Sequence, residues 1–116
     1  MTQAWQVVFY ELPSGRCPVA EFITAQSKSD QALILAELDE LQAFGPFPRG
    51  NKLRPLRGRL WELRFRGSRC PYRFLFFRAS ERKIVVVHAF CKQSRKTPQR
   101  DLELALRRMR EYLSRN

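Results

Sequence analysis

Two arginines that face each other in a predicted β-hairpin are the residues of this sequence best placed to do chemistry. Arg64 lies in the alternating segment 60–66 and Arg73 lies in segment 71–78, with residues 67–70 between the two segments. If those four residues form the turn, Arg64 lies directly opposite Arg73, and the two like charges repel each other. A bound phosphate would reverse that penalty, so the spacing indicates an anion site. A turn longer by one residue would instead place the two side chains on opposite faces.

Further basic residues flank this hairpin and can approach the same face in an antiparallel meander. Any one of them alone is most simply a solvated side chain, whereas the group as a whole favours contact with nucleic acid. They are Lys52, Arg54, Arg57 and Arg59 before the hairpin, Arg66 and Arg69 at its turn, and Lys92, Arg95 and Lys96 after the next strand.

The charge of the chain is unevenly distributed. The net charge is +11. Residues 1–48 carry two basic and six acidic residues, a net charge of −4, whereas residues 49–116 carry 20 basic and five acidic residues, a net charge of +15. This asymmetry predicts a surface of positive potential and a polyanionic partner. Membrane phosphates could also satisfy it, but no basic amphipathic segment with Trp or Phe on its apolar side accompanies the charge.

Few groups near this basic surface could accept or donate a proton. Glu62 is the only acidic residue beside the predicted arginine face, and His88 is the only histidine. His88 shares a predicted strand face with Ile84, Val86 and Phe90, which is typical of a core histidine bonded to the backbone, and a catalytic acid or base is the alternative. The sequence holds no P-loop, no Ser-His-Asp arrangement and no acidic metal cluster. Any catalysis is therefore expected to use no metal and no cofactor.

The composition predicts a soluble, cytoplasmic protein. The length of 116 residues fits one domain, residues 1–116. No apolar segment approaches the roughly 18 residues of a membrane span, and no signal peptide is predicted. Cys17, Cys70 and Cys91 are far apart and odd in number, without a Cys-x-x-Cys pair, so we expect reduced thiols rather than a zinc site.

Three helices are predicted from capping signals and apolar periodicity. A short helix begins at Pro18, because proline suits the first helical turn. A second helix runs from about Asp30, as its N-cap, to Phe44, before Gly45 stops it. The last helix is capped by Thr97 and has Pro98 at its first position.

The rest of the pattern predicts strands. Residues 5–10 form a first strand, residues 52–56 a short one, and residues 83–90 a β-branched central strand. In the hairpin, the four-residue turn predicts an apolar face that pairs Phe65 with Tyr72, Leu63 with Phe74 and Trp61 with Phe76. The fold class is therefore α+β, with an antiparallel β-meander of about four to five strands, two N-terminal helices and one C-terminal helix.

Several short motifs occur in an order that resembles the RelE/ParE superfamily, and most closely its HigB-type toxins with their phage host-inhibition relatives. The likeness covers nearly the whole chain and implies a RelE-like fold. The motifs are Leu60-Trp-Glu-Leu-Arg64, Tyr72-Arg73, Val87-His-Ala-Phe90-Cys-Lys92 and Lys96-Thr-Pro98 with the helix that follows.

This resemblance implies the toxin of a type II toxin–antitoxin pair, an endoribonuclease that cleaves mRNA on the translating ribosome without a metal. Such enzymes promote attack of a ribose 2′-OH on the adjacent phosphate and leave a 2′,3′-cyclic phosphate and a 5′-OH end. The implied partners are mRNA, the ribosome and a cognate antitoxin. We expect the antitoxin to be a helix-turn-helix protein that covers the basic face with acidic or helical segments.

The resemblance also assigns roles by position. Arg73 matches the arginine that contacts the scissile phosphate, and Arg64 lies where a basic residue lines the same site. Lys96 and Lys92 match basic residues that could neutralise or protonate the leaving group. The remaining basic residues around the hairpin would bind RNA.

Two departures from the family's pattern leave the general base unassigned. Relatives often carry two lysines where this chain has Lys92-Gln93, and some ribosome-dependent relatives have a tyrosine where this chain has Asp101-Leu102. Glu62 and His88 are the candidates, because an arginine of ordinary pKa stays protonated.

Two other functions stay open. One is a ParE-like toxin that inhibits DNA gyrase by protein contact, and the other is an RNA-binding module without activity. The dense basic hairpin favours the nuclease, because a protein target would not require so much phosphate-binding charge.

Overall fold

The computed structural model of the chain describes residues 4–47 and 52–115. These residues form five strands and three helices, a mixed α+β architecture that confirms the predicted class. In chain order the elements are β1 (Gln6–Phe9), α1 (Pro18–Thr24), α2 (Lys28–Phe44), β2 (Leu53–Arg57), β3 (Leu60–Arg66), β4 (Pro71–Ser80), β5 (Lys83–Cys91) and α3 (Gln99–Arg115).

The five strands form one sheet in the order β1-β5-β4-β3-β2. Strands β2 to β5 form the predicted antiparallel meander. The first strand differs, because β1 pairs parallel to β5, with Val7 opposite Ile84 and Phe9 opposite Val86. Alternation of apolar residues does not encode strand direction, and no hairpin joins β1 to β5. A purely antiparallel sheet was therefore the wrong expectation for this strand.

The register predicted for the central hairpin is confirmed. Phe65 lies opposite Tyr72, and Arg64 lies opposite Arg73. The four-residue turn therefore puts the two arginines on the same face of the sheet.

Both faces of the sheet are covered. On one face, α1 and α2 pack against the apolar side of the hairpin, and Phe74 and Phe76 have no exposed surface there. On the other face, α3 packs against Leu75, Phe77 and Val85. The face that carries Arg64 and Arg73 is thus part of a second buried layer rather than an open basic surface.

A β-bulge in β5 determines which face His88 occupies. Val86 pairs with Phe76 and His88 pairs with Leu75, so Val87 is an extra residue between them. The prediction that His88 shares a face with Ile84 and Val86 is therefore wrong, because the extra residue reverses the alternation of side chains along β5. His88 lies on the α3 side, where its ring stacks on Phe90 at 5.3 Å between centroids.

The ends of α2 are fixed by Ser27 and Gly45. The Ser27 hydroxyl accepts a hydrogen bond from the backbone N–H of Asp30, so Ser27 rather than Asp30 is the N-cap. The helix ends as predicted at Gly45, whose φ of 81° favours glycine. The Trp5 indole also packs against this residue so closely that a Cβ would clash with it.

Asp30 is instead a buried tie between α2 and the β3–β4 turn. Its carboxylate accepts hydrogen bonds from the hydroxyls of Tyr72 and Ser68. The bond from Tyr72, followed by that from Ser68, holds the pKa of Asp30 below its ordinary value. Burial, together with this carboxylate, raises the pKa of Tyr72 to about 12.

The depressed pKa of Asp30 predicts an acid-sensitive contribution to stability. A carboxyl group whose pKa is lower in the folded state stabilises the fold above its ordinary pKa, and this contribution is lost as pH falls through the folded-state value. We expect Asp30→Asn to unfold at lower urea concentration than the wild type at pH 7. The two proteins should converge as the pH falls below the ordinary carboxyl range. An equal gap at pH 7 and pH 2 would contradict this account.

A disulfide joins Cys70 to Cys91, with 5.7 Å between their Cα atoms. The expectation of three reduced thiols is therefore wrong for this pair. The two cysteines are far apart in sequence, so their spacing did not predict the pairing. They meet because β4 and β5 run antiparallel, which brings the start of β4 beside the end of β5. Cys17 is the free cysteine among the described residues.

Candidate active site

Arg73 is the central residue of the candidate site. It lies on β4 on the face covered by α3, and its side chain has no exposed surface. Its NH1 donates to the carbonyl of Lys96 at 3.0 Å, whereas Nε and NH2 have no hydrogen-bond partner among the described residues. Burial lowers the pKa of Arg73, and the nearby Glu62 carboxylate opposes that effect. Leaving these two buried nitrogens unpaired costs free energy of folding. Both could donate hydrogen bonds to the oxygens of a bound anion.

Glu62 holds this cluster together from β3. It is completely buried. One carboxylate oxygen accepts from Nε of Arg54 at 2.9 Å, and the other accepts from the hydroxyl of Thr97 at 2.7 Å. NH1 of Arg73 lies 3.9 Å from the second oxygen. Both oxygens of Glu62 are therefore engaged.

Thr97 was predicted to cap α3, and the structure gives its side chain another partner. The helix begins at Gln99, and the Thr97 hydroxyl donates to Glu62. The prediction that Thr97 caps α3 with Pro98 at the first helical position is wrong, because the helix begins one residue later and Thr97 lies before the N-cap position.

The loop between β5 and α3 is tied to the sheet at three consecutive residues. The Arg54 side chain donates to the carbonyl of Arg95 at 3.5 Å, and Arg73 donates to that of Lys96. The third tie is the hydroxyl of Thr97. The loop therefore lies over Arg73 and excludes solvent from its guanidinium.

Arg64 supplies a second positive charge beside Arg73. Its proximity contributes to lowering the pKa of Arg73. Its side chain is half-buried, and no carboxylate of residues 4–47 or 52–115 lies within 4 Å of it. With Arg66 and Lys52 it lines an open cleft of about 760 Å³.

Asp101 joins two predicted site residues at the start of α3. One of its oxygens lies 2.7 Å from Nε2 of His88, and the other accepts from Nζ of Lys92 at 3.2 Å. Burial alone would raise the pKa of Asp101, but the bonds from His88 and Lys92 outweigh it, and the pKa lies below its ordinary value. The sequence predicted a core histidine bonded to the backbone. His88 is instead hydrogen-bonded to the carboxylate of Asp101.

Phe90 connects the two clusters. The guanidinium of Arg73 lies 5.8 Å from the centre of its ring, and Nζ of Lys92 lies 6.0 Å from it. His88 stacks on the same ring. The three polar side chains therefore lie around one aromatic ring.

The other predicted RNA-binding residues are distributed over the molecule. Arg66 and Arg69 are exposed near the β3–β4 turn, close to the cluster in the sheet. Lys52 faces α2, where its Nζ lies 3.2 Å from Glu37.

Two predicted residues lie at the opposite end of the sheet. Arg57 and Arg59 flank the β2–β3 turn, and the Arg59 side chain donates to the carbonyl of Arg78. The structure does not bring them to Arg73.

A family model described as "Phage derived protein Gp49-like (DUF891)" matches residues 21–110. The chain belongs to this family. The matched range begins within α1, ends within α3 and includes the whole cluster around Arg73 and Asp101. A search of curated proteins found no match. Membership of the Gp49-like family fits the toxin of a toxin–antitoxin pair in general, and it implies a cognate antitoxin as partner.

Within residues 4–47 and 52–115, no helix is long and apolar enough to cross a membrane. The same residues contain no group of three or more His, Cys, Asp or Glu side chains that could hold a metal ion.

In this Gp49-like protein, Asp101 and Thr97 belong to the site although neither was predicted from the sequence as part of it. A signal for Asp101 was present, because it lies one turn before Ala105 on the apolar stripe of α3. An acidic residue on a buried stripe requires a polar partner. Thr97 had no such signal, because its position before Pro98 is also that of an ordinary cap.

Proposed function

We propose that the chain is a single-domain, RelE-like toxin that cleaves mRNA on the ribosome in the cytoplasm, without a metal or cofactor. The observation that carries this proposal is the buried Arg73, whose Nε and NH2 are unpaired beside the second arginine, Arg64. The uneven charge of the chain and the resemblance to RelE-type enzymes support the choice of RNA as the polyanion.

The reaction requires three things of the site. The ribose 2′-oxygen attacks the adjacent phosphorus while its proton passes to a base, and the bond from phosphorus to the 5′-oxygen breaks as that oxygen gains a proton. In between, the phosphorane carries extra negative charge. Arg73 and Arg64 would stabilise this charge, and Lys92 or Lys96 would protonate or neutralise the leaving oxygen.

The loop over Arg73 must shift for this reaction to occur. The guanidinium has no exposed surface, so a phosphate reaches it only when the bonds of Arg95, Lys96 and Thr97 to the sheet open. The exposed side chain of Lys96 belongs to this loop and would move with it. When RNA binds, its phosphate oxygens would then replace the carbonyl of Lys96 as the hydrogen-bond acceptors of Arg73.

The test is cleavage of a defined mRNA by the purified protein, with and without translating ribosomes, in buffer containing a metal chelator. We expect cleavage with ribosomes, with fragments that end in a 2′,3′-cyclic phosphate and begin with a 5′-OH. Intact mRNA in both conditions would overturn the proposal. Intact RNA together with inhibition of DNA gyrase would identify the ParE-like function instead, and RNA binding without cleavage would identify an inactive module.

A cognate antitoxin is also part of the proposal. We expect a small helix-turn-helix protein with acidic or helical segments that covers the basic face and suppresses cleavage. A neighbouring reading frame for such a protein, and its co-purification with the chain, would support this partner.

A further inference from the structure

We propose that His88 is the general base of the reaction and that Asp101 is the residue that positions it. This inference rests on the proposed ribonuclease function and deepens it, because that function leaves the proton acceptor unnamed.

The geometry around the His88 ring distinguishes its two nitrogens. Nε2 lies 2.7 Å from a carboxylate oxygen of Asp101, so it carries the proton and donates it in a hydrogen bond. Nδ1 has no hydrogen bond to the described residues. Among those residues, the side-chain nitrogens that are both buried and unpaired belong to Arg73. Nδ1 of His88 is unpaired but is not one of them, so it is not fully buried and keeps contact with solvent. The neutral ring thus presents a lone pair at Nδ1.

Glu62 has the opposite arrangement. Its side chain is fully buried, and its two oxygens accept hydrogen bonds from Arg54 and Thr97. Taking a proton would neutralise the carboxylate that faces Arg54 and Arg73, at a position without solvent exposure. Glu62 therefore holds the arginine cluster and the loop in position, which leaves His88 as the candidate with a free acceptor.

The surroundings of His88 keep it neutral near pH 7. Burial lowers its pKa, and the bond and charge of Asp101 oppose that effect without overcoming it. The other charged groups that face the ring are Arg108 of α3 and Lys92 at the end of β5, and both disfavour a positive imidazole. On the β4 side, its neighbour is the apolar Leu75.

The position of His88 also fits the proton transfer. The His88 ring stacks on the ring of Phe90, and the Phe90 ring also contacts the side chains of Arg73 and Lys92. A phosphate on Arg73 would place the adjoining ribose within the same small region. Nδ1 would take the 2′-OH proton, and the Asp101 carboxylate would stabilise the imidazolium that forms.

The first experiment reads the tautomer of His88 directly by ¹⁵N NMR. The chain has a single histidine, so its imidazole signals need no assignment, and the measurement on the wild type needs no variant. We expect the neutral ring to carry its proton on Nε2 and to titrate below the ordinary histidine range. A proton on Nδ1 would overturn the inference whether or not the protein cleaves RNA.

Three variants then separate the groups around the ring. Asp101→Asn removes the negative charge that favours imidazolium, so the titration midpoint should move to lower pH. Lys92→Gln removes a charge that opposes imidazolium, so the midpoint should move to higher pH. The matched control is Glu103→Gln, an exposed acidic residue of the same helical turn that bonds Gln99, and it should leave the midpoint unchanged. An unchanged midpoint in Asp101→Asn would contradict the positioning role.

The second experiment is the pH dependence of single-turnover RNA cleavage. The wild-type rate should rise with pH through the titration midpoint of His88. In His88→Gln this rise should disappear and the rate should fall roughly 100-fold, a usual contribution of one general base. In Asp101→Asn the rise should shift to lower pH together with the NMR midpoint, while Glu103→Gln follows the wild type.

The outcomes distinguish this inference from the proposed function. If the wild type cleaves RNA and His88→Gln retains the same pH dependence, the assignment of His88 is overturned and the nuclease function stands. If the wild type cleaves no RNA under any condition, the proposed function is overturned, and the base role is overturned with it.

Discussion

Replacing Arg73 with methionine is expected to abolish RNA cleavage while leaving the fold at least as stable as that of the wild type. The guanidinium is fully buried with two unpaired nitrogens. A buried donor without a partner costs about 1–3 kcal/mol, and an apolar side chain of similar length avoids that cost. Glu62 keeps its bonds to Arg54 and Thr97 in the variant. Loss of a donor that stabilises transition-state charge costs roughly 10²- to 10³-fold in rate.

Two measurements check this prediction. One is the rate of mRNA cleavage, and the other is the urea midpoint of unfolding. Arg78→Met is the matched control, because Arg78 is an exposed arginine of the same strand whose side chain donates to the carbonyls of Ser80 and Glu81. The control should cleave at close to the wild-type rate. A strongly destabilised but fully active Arg73→Met protein would show that Arg73 serves the fold rather than the reaction.

Replacing Cys91 with serine is expected to lower the free energy of unfolding by about 3 kcal/mol, because the disulfide closes a loop between residues separated by 21 positions. Opening the bond would also release the end of β5, which leads into the loop that covers Arg73. Chemical denaturation with and without a reductant measures the effect.

The reductant provides an internal comparison. Reduced wild type should approach the stability of Cys91→Ser, and the variant itself should be insensitive to reductant. Cys17→Ala is the control, because Cys17 is free and its side chain makes no capping bond to α1. If oxidised wild type and Cys91→Ser unfold at the same urea concentration, the disulfide contributes nothing to stability.

Much of the hairpin was predictable from the sequence. Strict alternation from Trp61 to Phe65, together with a four-residue turn, was sufficient to place Arg64 opposite Arg73. Those signals are local, because side chains alternate along a strand and the turn length sets the register. The start of α1 at Pro18 and the end of α2 at Gly45 were predictable for the same reason.

The surroundings of the site were not predictable, because they depend on contacts between distant segments. Alternation identifies a polar face but cannot distinguish solvent from a covering segment of chain, so the burial of Glu62 and Arg73 under the loop between β5 and α3 was missed. The extra residue Val87 in β5 looks like any other valine of a β-branched run, and only pairing with β4 reveals it. The disulfide and the parallel pairing of β1 were missed for the same reason.

The sheet separates two helical layers of unlike charge, and this has a consequence for how the molecule meets a polyanion. The exposed side of α2 carries acidic residues such as Asp39 and Glu40, whereas α3 on the far face carries Arg107 and Arg110. Such a molecule has a permanent electric dipole moment directed across the sheet. In the field of a polyanion it experiences a torque that turns α3 inward before contact, so that encounters are pre-oriented. Because the Debye length is only about 10 Å at 0.1 M salt, this steering acts at short range and weakens as ionic strength rises.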